Sequence, residues 1–306
     1  MGWMIRMNEK IRILECGPRD GWQNLKQILS TEQKLRYIDG LFSCGVEIVE
    51  ITSFVSPKAI PQMADASQVA HYCVENYPGK TMLALVPNYR GAQNAFEAGI
   101  RYVTYVISLS ESHNKANINR THDQSFEELA RIQNAFPDMK ICVGLATTFG
   151  CPFEGIPEIS KVVDFIGRIV EAGVRDLYLA DTIGIADPKQ VRETISAVRG
   201  AYPDLGLQVH IHDTRGMGMV NTLAAIESGV TTVQSTLGGL GGCPFAPGAS
   251  GNTATEDLVY MLHRMGYQTG IEFDSLLALS KKQKAEIDGI YSGHQLNINS
   301  QQPPCC

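Results

Sequence analysis

The chain has 306 residues, of which 44% are hydrophobic, 8% aromatic and 19% charged, with a formal charge of −6. No apolar run approaches the roughly 18 residues of a membrane span, and the opening MGWMIRMNEK lacks the apolar stretch of a secretory leader. An acidic balance without a basic block excludes nucleic acid as the expected partner, while a few cations at one mouth still suit an anionic small molecule. Apolar, β-rich runs are predicted at Ile11–Cys16, Glu47–Ser53, Thr81–Val86, Tyr102–Ser108, Ile141–Thr147, Asp176–Ala180, Val209–His212 and Thr232–Thr236. Helical segments fill the gaps. Ser30 with Gln33 has capping-box spacing, Leu35, Ile38 and Leu41 share a face behind it, and Gly45 marks the stop. Pro157 is expected to open a second helix that ends at Gly173, and Asp187-Pro188 reads as an N-cap followed by proline at the first helical position.

Eight strand signals alternating with helices imply parallel strands joined by crossovers, several apolar on both faces. A closed (β/α)8 TIM barrel uses eight such units and leaves no sheet edge. An open doubly wound sheet is the competitor, but no Gly-rich GxGxxG turn follows the first strand. The barrel is therefore expected over residues 1–280, with a short extension over 281–306 that turns polar from Lys281 and is mobile at its end. Cys16, Cys44, Cys73, Cys142, Cys151, Cys243, Cys305 and Cys306 form no CxxC pair, which points to reduced thiols in the cytoplasm and not to a disulfide framework.

In such a barrel the chemistry gathers at the carboxyl ends of the strands. The first run ends in Gly-Pro-Arg19-Asp20-Gly, the second carries Glu50, the sixth ends in Asp181-Thr182 and the seventh is Val209-His210-Ile211-His212. Residues i and i+2 of a strand share a face, so both imidazoles can aim at one point. Two hydrogen-bonded core histidines are the plain alternative. At a strand end, with Asp20 and Asn252 as oxygen donors, the set suits a six-coordinate Mg2+ or Mn2+, and zinc stays open. Arg19 beside that centre would face a developing oxyanion. Glu50 is costly to bury unless it pairs with Arg19 or the ligands. Cys243 lies in a glycine-rich stretch able to serve as a lid, and a thiol can move a proton either way near neutral pH.

GPRDGWQN, EITSFVSPKAIPQM, ADTIG, HIHDT and GGLGGCPFAPGASGNTATEDLVYM resemble the signature segments of the hydroxymethylglutaryl-CoA lyase family of metal-dependent barrel enzymes. The resemblance implies that Asp20, His210, His212 and Asn252 hold a divalent cation and that Arg19 stabilises a thioester enolate. It implies Glu50 in the ion-pair network, Cys243 as catalytic thiol, and Gln23, Asp181, Thr182 and Glu256 in support, with Asp20 or His210 as base. The implied partner is an acyl-CoA thioester, cleaved in a retro-Claisen step within a homo-oligomer. Hydroxymethylglutaryl-CoA would give acetoacetate and acetyl-CoA. Three departures bear on the substrate and not on the reaction: Trp22 where leucine is usual, Arg215 in place of a tyrosine, and a loop entered through Ser-Thr-Leu-Gly instead of Ser-Val-Ala-Gly. Either Trp22 and Arg215 reshape the acyl pocket or the changes are neutral, which keeps citramalyl-CoA as the alternative substrate. A condensing acyl transferase is disfavoured by the Gly-Gly-Cys-Pro loop. A mere binder of CoA esters would be expected to have lost one of these groups, and a Schiff-base aldolase would need a lysine inside a strand run, where none is predicted.

Overall fold

The eight runs become eight parallel strands that close on one another in chain order. In this computed structural model, residues 10–241 and 251–298 are described. The strands are β1 Arg12–Glu15, β2 Ile48–Ser53, β3 Thr81–Leu85, β4 Tyr102–Ser108, β5 Lys140–Ala146, β6 Asp176–Asp181, β7 Gly206–Ile211 and β8 Thr232–Ser235. The last returns to the first with Leu14 beside Gln234 and Glu15 beside Ser235, so no edge remains to be covered. The crossovers carry α1 Thr31–Ser43, α2 Ala66–Asn76, α3 Tyr89–Glu97, then the consecutive α4 Glu111–Ile118 and α5 His122–Ala135. α6 Ile159–Glu171, α7 Pro188–Ala201 and α8 Gly218–Glu227 complete the ring, and α9 Thr255–Arg264 and α10 Phe273–Glu286 follow.

Local chemistry sets these boundaries. Ser30 Oγ accepts from Gln33 N at 3.2 Å to start α1, and Gly45 behind it takes φ +93°, a conformation that strains any residue with a β-carbon. Asp187 accepts from both Lys189 N and Gln190 N, with Pro188 next, as the N-cap reading requires. One start differs. Glu158, not Pro157, caps α6, and the helix begins at Ile159. Outward-facing strand residues such as Val49, Val103, Val143, Leu177 and Val209 pack against the helices as the main core. Inside the barrel Leu14, Ile48 and Leu83 close the amino-terminal end, with Tyr102 against them. A cavity opens toward the carboxyl end, where Arg19, Asp20, His210 and His212 line it.

α10 runs across residue 281, the expected start of the extension, and ends at Glu286. Residues 287–298 then lie across the ends of the β8–α9 connection. Gly293 N donates to Gly238 O at 3.1 Å, Ser292 Oγ donates to Asn252 O at 2.8 Å, and Asp257 accepts from His294 N and Gln295 N. Among the described residues no helix is long and apolar enough to cross a membrane. The described cysteines, Cys16, Cys44, Cys73, Cys142 and Cys151, are buried and unpaired, whereas Cys243, Cys305 and Cys306 fall outside the described residues.

Candidate active site

The Gly17–Gly21 segment leaves β1 as a π-helical turn, which folds Arg19 and Asp20 back over the barrel mouth. Both are buried, as is Glu50 on β2. Arg19 Nε donates to Glu50 Oε2 and Nη1 to Asp20 Oδ1, each at 2.5 Å. Burial alone would lower the guanidinium's proton affinity, but the two carboxylates outweigh it and hold the charge in place. Burial likewise works to raise Asp20, yet Arg19, the two histidines and Asn252 bring it down to about 2. Arg19 therefore stays a cation and Asp20 an anion, and each fixes the other's rotamer. Nη2 has no hydrogen-bond partner among the described residues, and Arg19 lines the cavity.

Gln208, His210 and His212 point inward from the end of β7. Their ligand atoms and those of Asp20 converge, with one atom each from Asp20, His210 and His212 all within 4.8 Å of one another. His210 Nε2 and His212 Nε2 face each other at 3.2 Å. The tautomer of His210 follows from its neighbours. Gln234 Nε2 donates to Gln208 Oε1 at 3.1 Å, which turns Gln234 Oε1 toward His210 Nδ1, also at 3.1 Å. An oxygen there can only accept, so Nδ1 carries the proton and Nε2 presents its lone pair. Burial pushes both imidazoles down, His212 to about 4, so neither is a cation near neutral pH. Two neutral nitrogens and a carboxylate aimed at one spot are the donor set of a divalent ion, and Gln234 is the outer partner that orients a ligating histidine. Asn252 joins through Nδ2, which donates to Asp20 Oδ2 at 2.7 Å and leaves Oδ1 as its acceptor atom.

A cavity of about 530 Å3 opens over this centre. Gln23 and Thr182 share its wall with Arg19, Asp20, His210 and His212; Gln23 reaches Asp20 Oδ1 at 3.5 Å and Thr182 Oγ1 accepts from Thr147 N at 2.7 Å. Glu50 stands behind Arg19. Asp181 and Glu256 lie off the cavity wall and hold main chain. Asp181 accepts from Ile185 N and Ala186 N, and burial lifts it to about 6. Glu256 accepts from Gly238 N, and burial lifts it to about 7. Asn88 and Asn117 line the outer cavity, whereas Lys115 is exposed. Cys243 lies outside the described residues.

Two expectations are corrected. Trp22 does not reach the acyl pocket; it is 1% exposed, packs edge-on against Tyr37 and directs Nε1 at Gln283 Oε1. Arg215 is also absent from the cavity wall, because Nη1 donates to the Ile183 and Gly184 carbonyls. Other groups escaped the sequence reading. Gln208 was legible in principle, since Gln208, His210 and His212 are spaced i, i+2, i+4 on one strand. Gln234, His113 and Tyr178 were not, because each sits in a run that reads as ordinary strand or helix. His113 lines the cavity with Nδ1 2.7 Å from Ser108 Oγ, and burial pushes its pKa down.

Fold and site together define a (β/α)8 barrel with a candidate divalent-metal centre at its carboxyl rim. The HMGL-like family model matches residues 10–282, and the chain belongs to that family. It is 42% identical over 275 residues to hydroxymethylglutaryl-CoA lyase YngG of Bacillus subtilis, covering 89% of this chain and 92% of that protein. It is 41% identical to the mitochondrial hydroxymethylglutaryl-CoA lyase of Homo sapiens, over 90% of this chain and 85% of the relative. A solved HMG-CoA lyase from A. baumannii, in complex with coenzyme A and 3-methylmalate, superposes with a TM-score of 0.88 at 38% identity, covering 97% of this chain and 98% of that one.

Proposed function

We propose that the protein is a carbon–carbon lyase that cleaves hydroxymethylglutaryl-CoA into acetoacetate and acetyl-CoA. The observation that carries this reading is the convergence of Asp20, His210 and His212 beside an arginine held by two buried acids, in one cavity. Asp20, His210, His212 and Asn252 would hold Mg2+ or Mn2+. Bound there, such an ion would lower the pKa of the substrate's tertiary hydroxyl. The hydroxyl proton would pass to a carboxylate oxygen of Asp20, because one ring nitrogen of His210 is already protonated and the other would be held by the ion. The bond between the carbinol carbon and the methylene next to the thioester then breaks, its electron pair forming the enolate of acetyl-CoA as the C–O pair closes the ketone of acetoacetate. Arg19 Nη2 would donate to that enolate oxygen, and the Cys243 thiol would return a proton to carbon.

The 39%-identical HMG-CoA lyase of Bacillus subtilis superposes with a TM-score of 0.89, which supports the same reading. Citramalyl-CoA loses its motive, since Trp22 and Arg215 both face away from the acyl pocket. Residues 1–280 would form the catalytic barrel and 281–306 its extension, and buried unpaired cysteines suit the cytoplasm.

Acetyl-CoA release from EDTA-stripped protein tests the proposal, with hydroxymethylglutaryl-CoA and citramalyl-CoA in parallel, each with and without Mg2+ or Mn2+. Metal-dependent release from the first supports it; release from the second alone, or from neither, overturns it. Cys243→Ser should lower turnover by about 10²- to 10⁴-fold with an unchanged Mn2+ titration. Unchanged turnover would take the thiol out of the reaction.

A further inference from the structure

Beneath the metal-facing row the barrel interior turns polar, where the layers of such a barrel are mostly branched carbon side chains. Gln234 on β8 is the register partner of His210 on β7, and Gln208 lies two residues below His210 on the same inward face. Both glutamines are buried behind the cavity wall. A buried amide is costly unless its two ends are paired, and these two are paired with each other and with the floor of the barrel. Gln208 Nε2 meets Cys142 Sγ at 3.9 Å, and the Tyr102 hydroxyl is hydrogen-bonded to Gln208 and to Cys142. Cys16 Sγ lies 3.5 Å from Gln234 Oε1, and a thiol beside that oxygen can only donate. The result is one hydrogen-bonded file, Tyr102–Gln208–Gln234–His210, that rises from the floor to a ligand of the metal centre.

A primary amide can face either way. Its oxygen and nitrogen ends have nearly the same shape and opposite hydrogen-bonding roles. With Oε1 toward His210, the imidazole keeps its proton on Nδ1 and offers Nε2 as a lone pair. Turned over, Gln234 would donate to Nδ1, the proton would sit on Nε2, and that nitrogen could not ligate a cation. His210 does not choose between these states, because it is the donor in one and the acceptor in the other. Gln208 chooses. Its own Nε2 is taken up by the floor, and its Oε1, 3.1 Å from Gln234 Nε2, accepts only from an N–H.

We propose that Gln208 is a positioning residue for the metal centre, which by holding Gln234 in one amide orientation keeps His210 in the tautomer that can bind a divalent ion. The inference rests on the metal site of the lyase reading above and extends it to a residue set behind the ligands. Without Gln208 Oε1, Gln234 Nε2 loses its acceptor and regains one by turning toward His210 Nδ1. Gln234→Glu has no such freedom, since both carboxylate oxygens accept and Nδ1 must then donate whichever way the side chain turns. The influence of Gln208 on the ion should therefore exist only while residue 234 is an amide.

The test is a double-mutant cycle on full-length, EDTA-stripped protein: wild type, Gln208→Leu, Gln234→Glu and the double variant, each titrated with Mn2+. Gln208→Leu should weaken Mn2+ binding by about 10-fold, the low end of what loss of an outer partner costs. The same change in the Gln234→Glu background should cost almost nothing. A loss of packing would fall equally on both backgrounds, so equal weakening overturns the proposal, and so does wild-type affinity in Gln208→Leu. Imidazole nitrogen NMR of histidine-labelled, metal-free wild type adds a readout that needs no variant to fold. His210 should carry its proton on Nδ1 there and on Nε2 in Gln208→Leu; a wild type with the proton on Nε2 overturns the proposal. Wild type that binds no Mn2+ removes the metal centre and this inference together. Because the cycle reads Mn2+ and not cleavage, a protein that binds the ion but leaves hydroxymethylglutaryl-CoA intact fails the lyase reading alone.

Discussion

Two clusters of buried acids lie on either side of β1, and they are held by opposite means. Asp20 and Glu50 flank the Arg19 guanidinium, and a full positive charge answers theirs. Among the described residues Glu15 and Glu256 have no such cation. Glu15 Oε1 accepts from Gly17 N at 2.7 Å and from Leu237 N at 2.9 Å, while Oε2 meets Thr255 Oγ1 at 2.5 Å. Amides and a hydroxyl do not offset the loss of water, and burial lifts Glu15 and Glu256 each to about 7. The same residue type is thus a fixed charge in one cluster and close to a neutral hydrogen-bonding post in the other. The first orients a cation toward substrate. The second ties the end of β1 and the start of α9 to the two flanks of the β8–α9 connection.

Removing the cation should break the comparison most severely. Arg19→Met strands two acids in the interior, and an uncompensated buried charge costs about 3–5 kcal/mol. We expect a clear drop in unfolding free energy and a fall in turnover of about 10²- to 10³-fold. Denaturant melts and steady-state rates on the same preparation check both, and an unaltered melt would show that Asp20 and Glu50 do not depend on Arg19. A milder change sharpens it. Glu50→Gln keeps an acceptor for Arg19 Nε but removes one charge, so turnover should fall by about 10-fold, near one charge-assisted hydrogen bond, with Mn2+ affinity unchanged by titration.

The smallest effect belongs to the second cluster and is read as a slope. Glu15 binds its proton up to about pH 7 in the native state but only to about 4.5 as a free side chain. Between those values the native state holds more protons than the unfolded one, so stability falls as pH rises. The contribution is complete below about 4.5 and lost above about 7. Glu15→Gln imitates the neutral acid, with Oε1 still accepting both amides and the side-chain NH2 facing Thr255. Unfolding measured from pH 5 to pH 8 should show a shallower decline in the variant. A decline as steep as that of wild type would mean that Glu15 is charged throughout.

The alternation of strand and helix was legible because each crossover buries one helical stripe and each strand is apolar on both faces. All eight predicted runs overlap the observed strands. Arg19, Asp20, His210 and His212 were legible because a barrel collects its chemistry at strand ends, a rule that needs only the order of elements. What the sequence could not convey depends on closure. Gln234 meets His210 across two strands, and Tyr178 reaches the cavity only because Gly144 faces it. Trp22 shows the converse. It follows the Arg-Asp pair so closely that it seemed bound for the pocket, yet the π-helical turn rotates it outward to Tyr37.

The strap formed by residues 287–298 has a practical consequence for handling the protein. Lys10, where the described chain starts, bridges to Gln268 beyond the amino-terminal end of the barrel, whereas Ser292 and Gly293 grip Asn252 and Gly238 at the catalytic end. A surface tether attached at Lys10 would therefore leave the mouth clear, and one attached at residue 298 would start on the face through which substrate arrives.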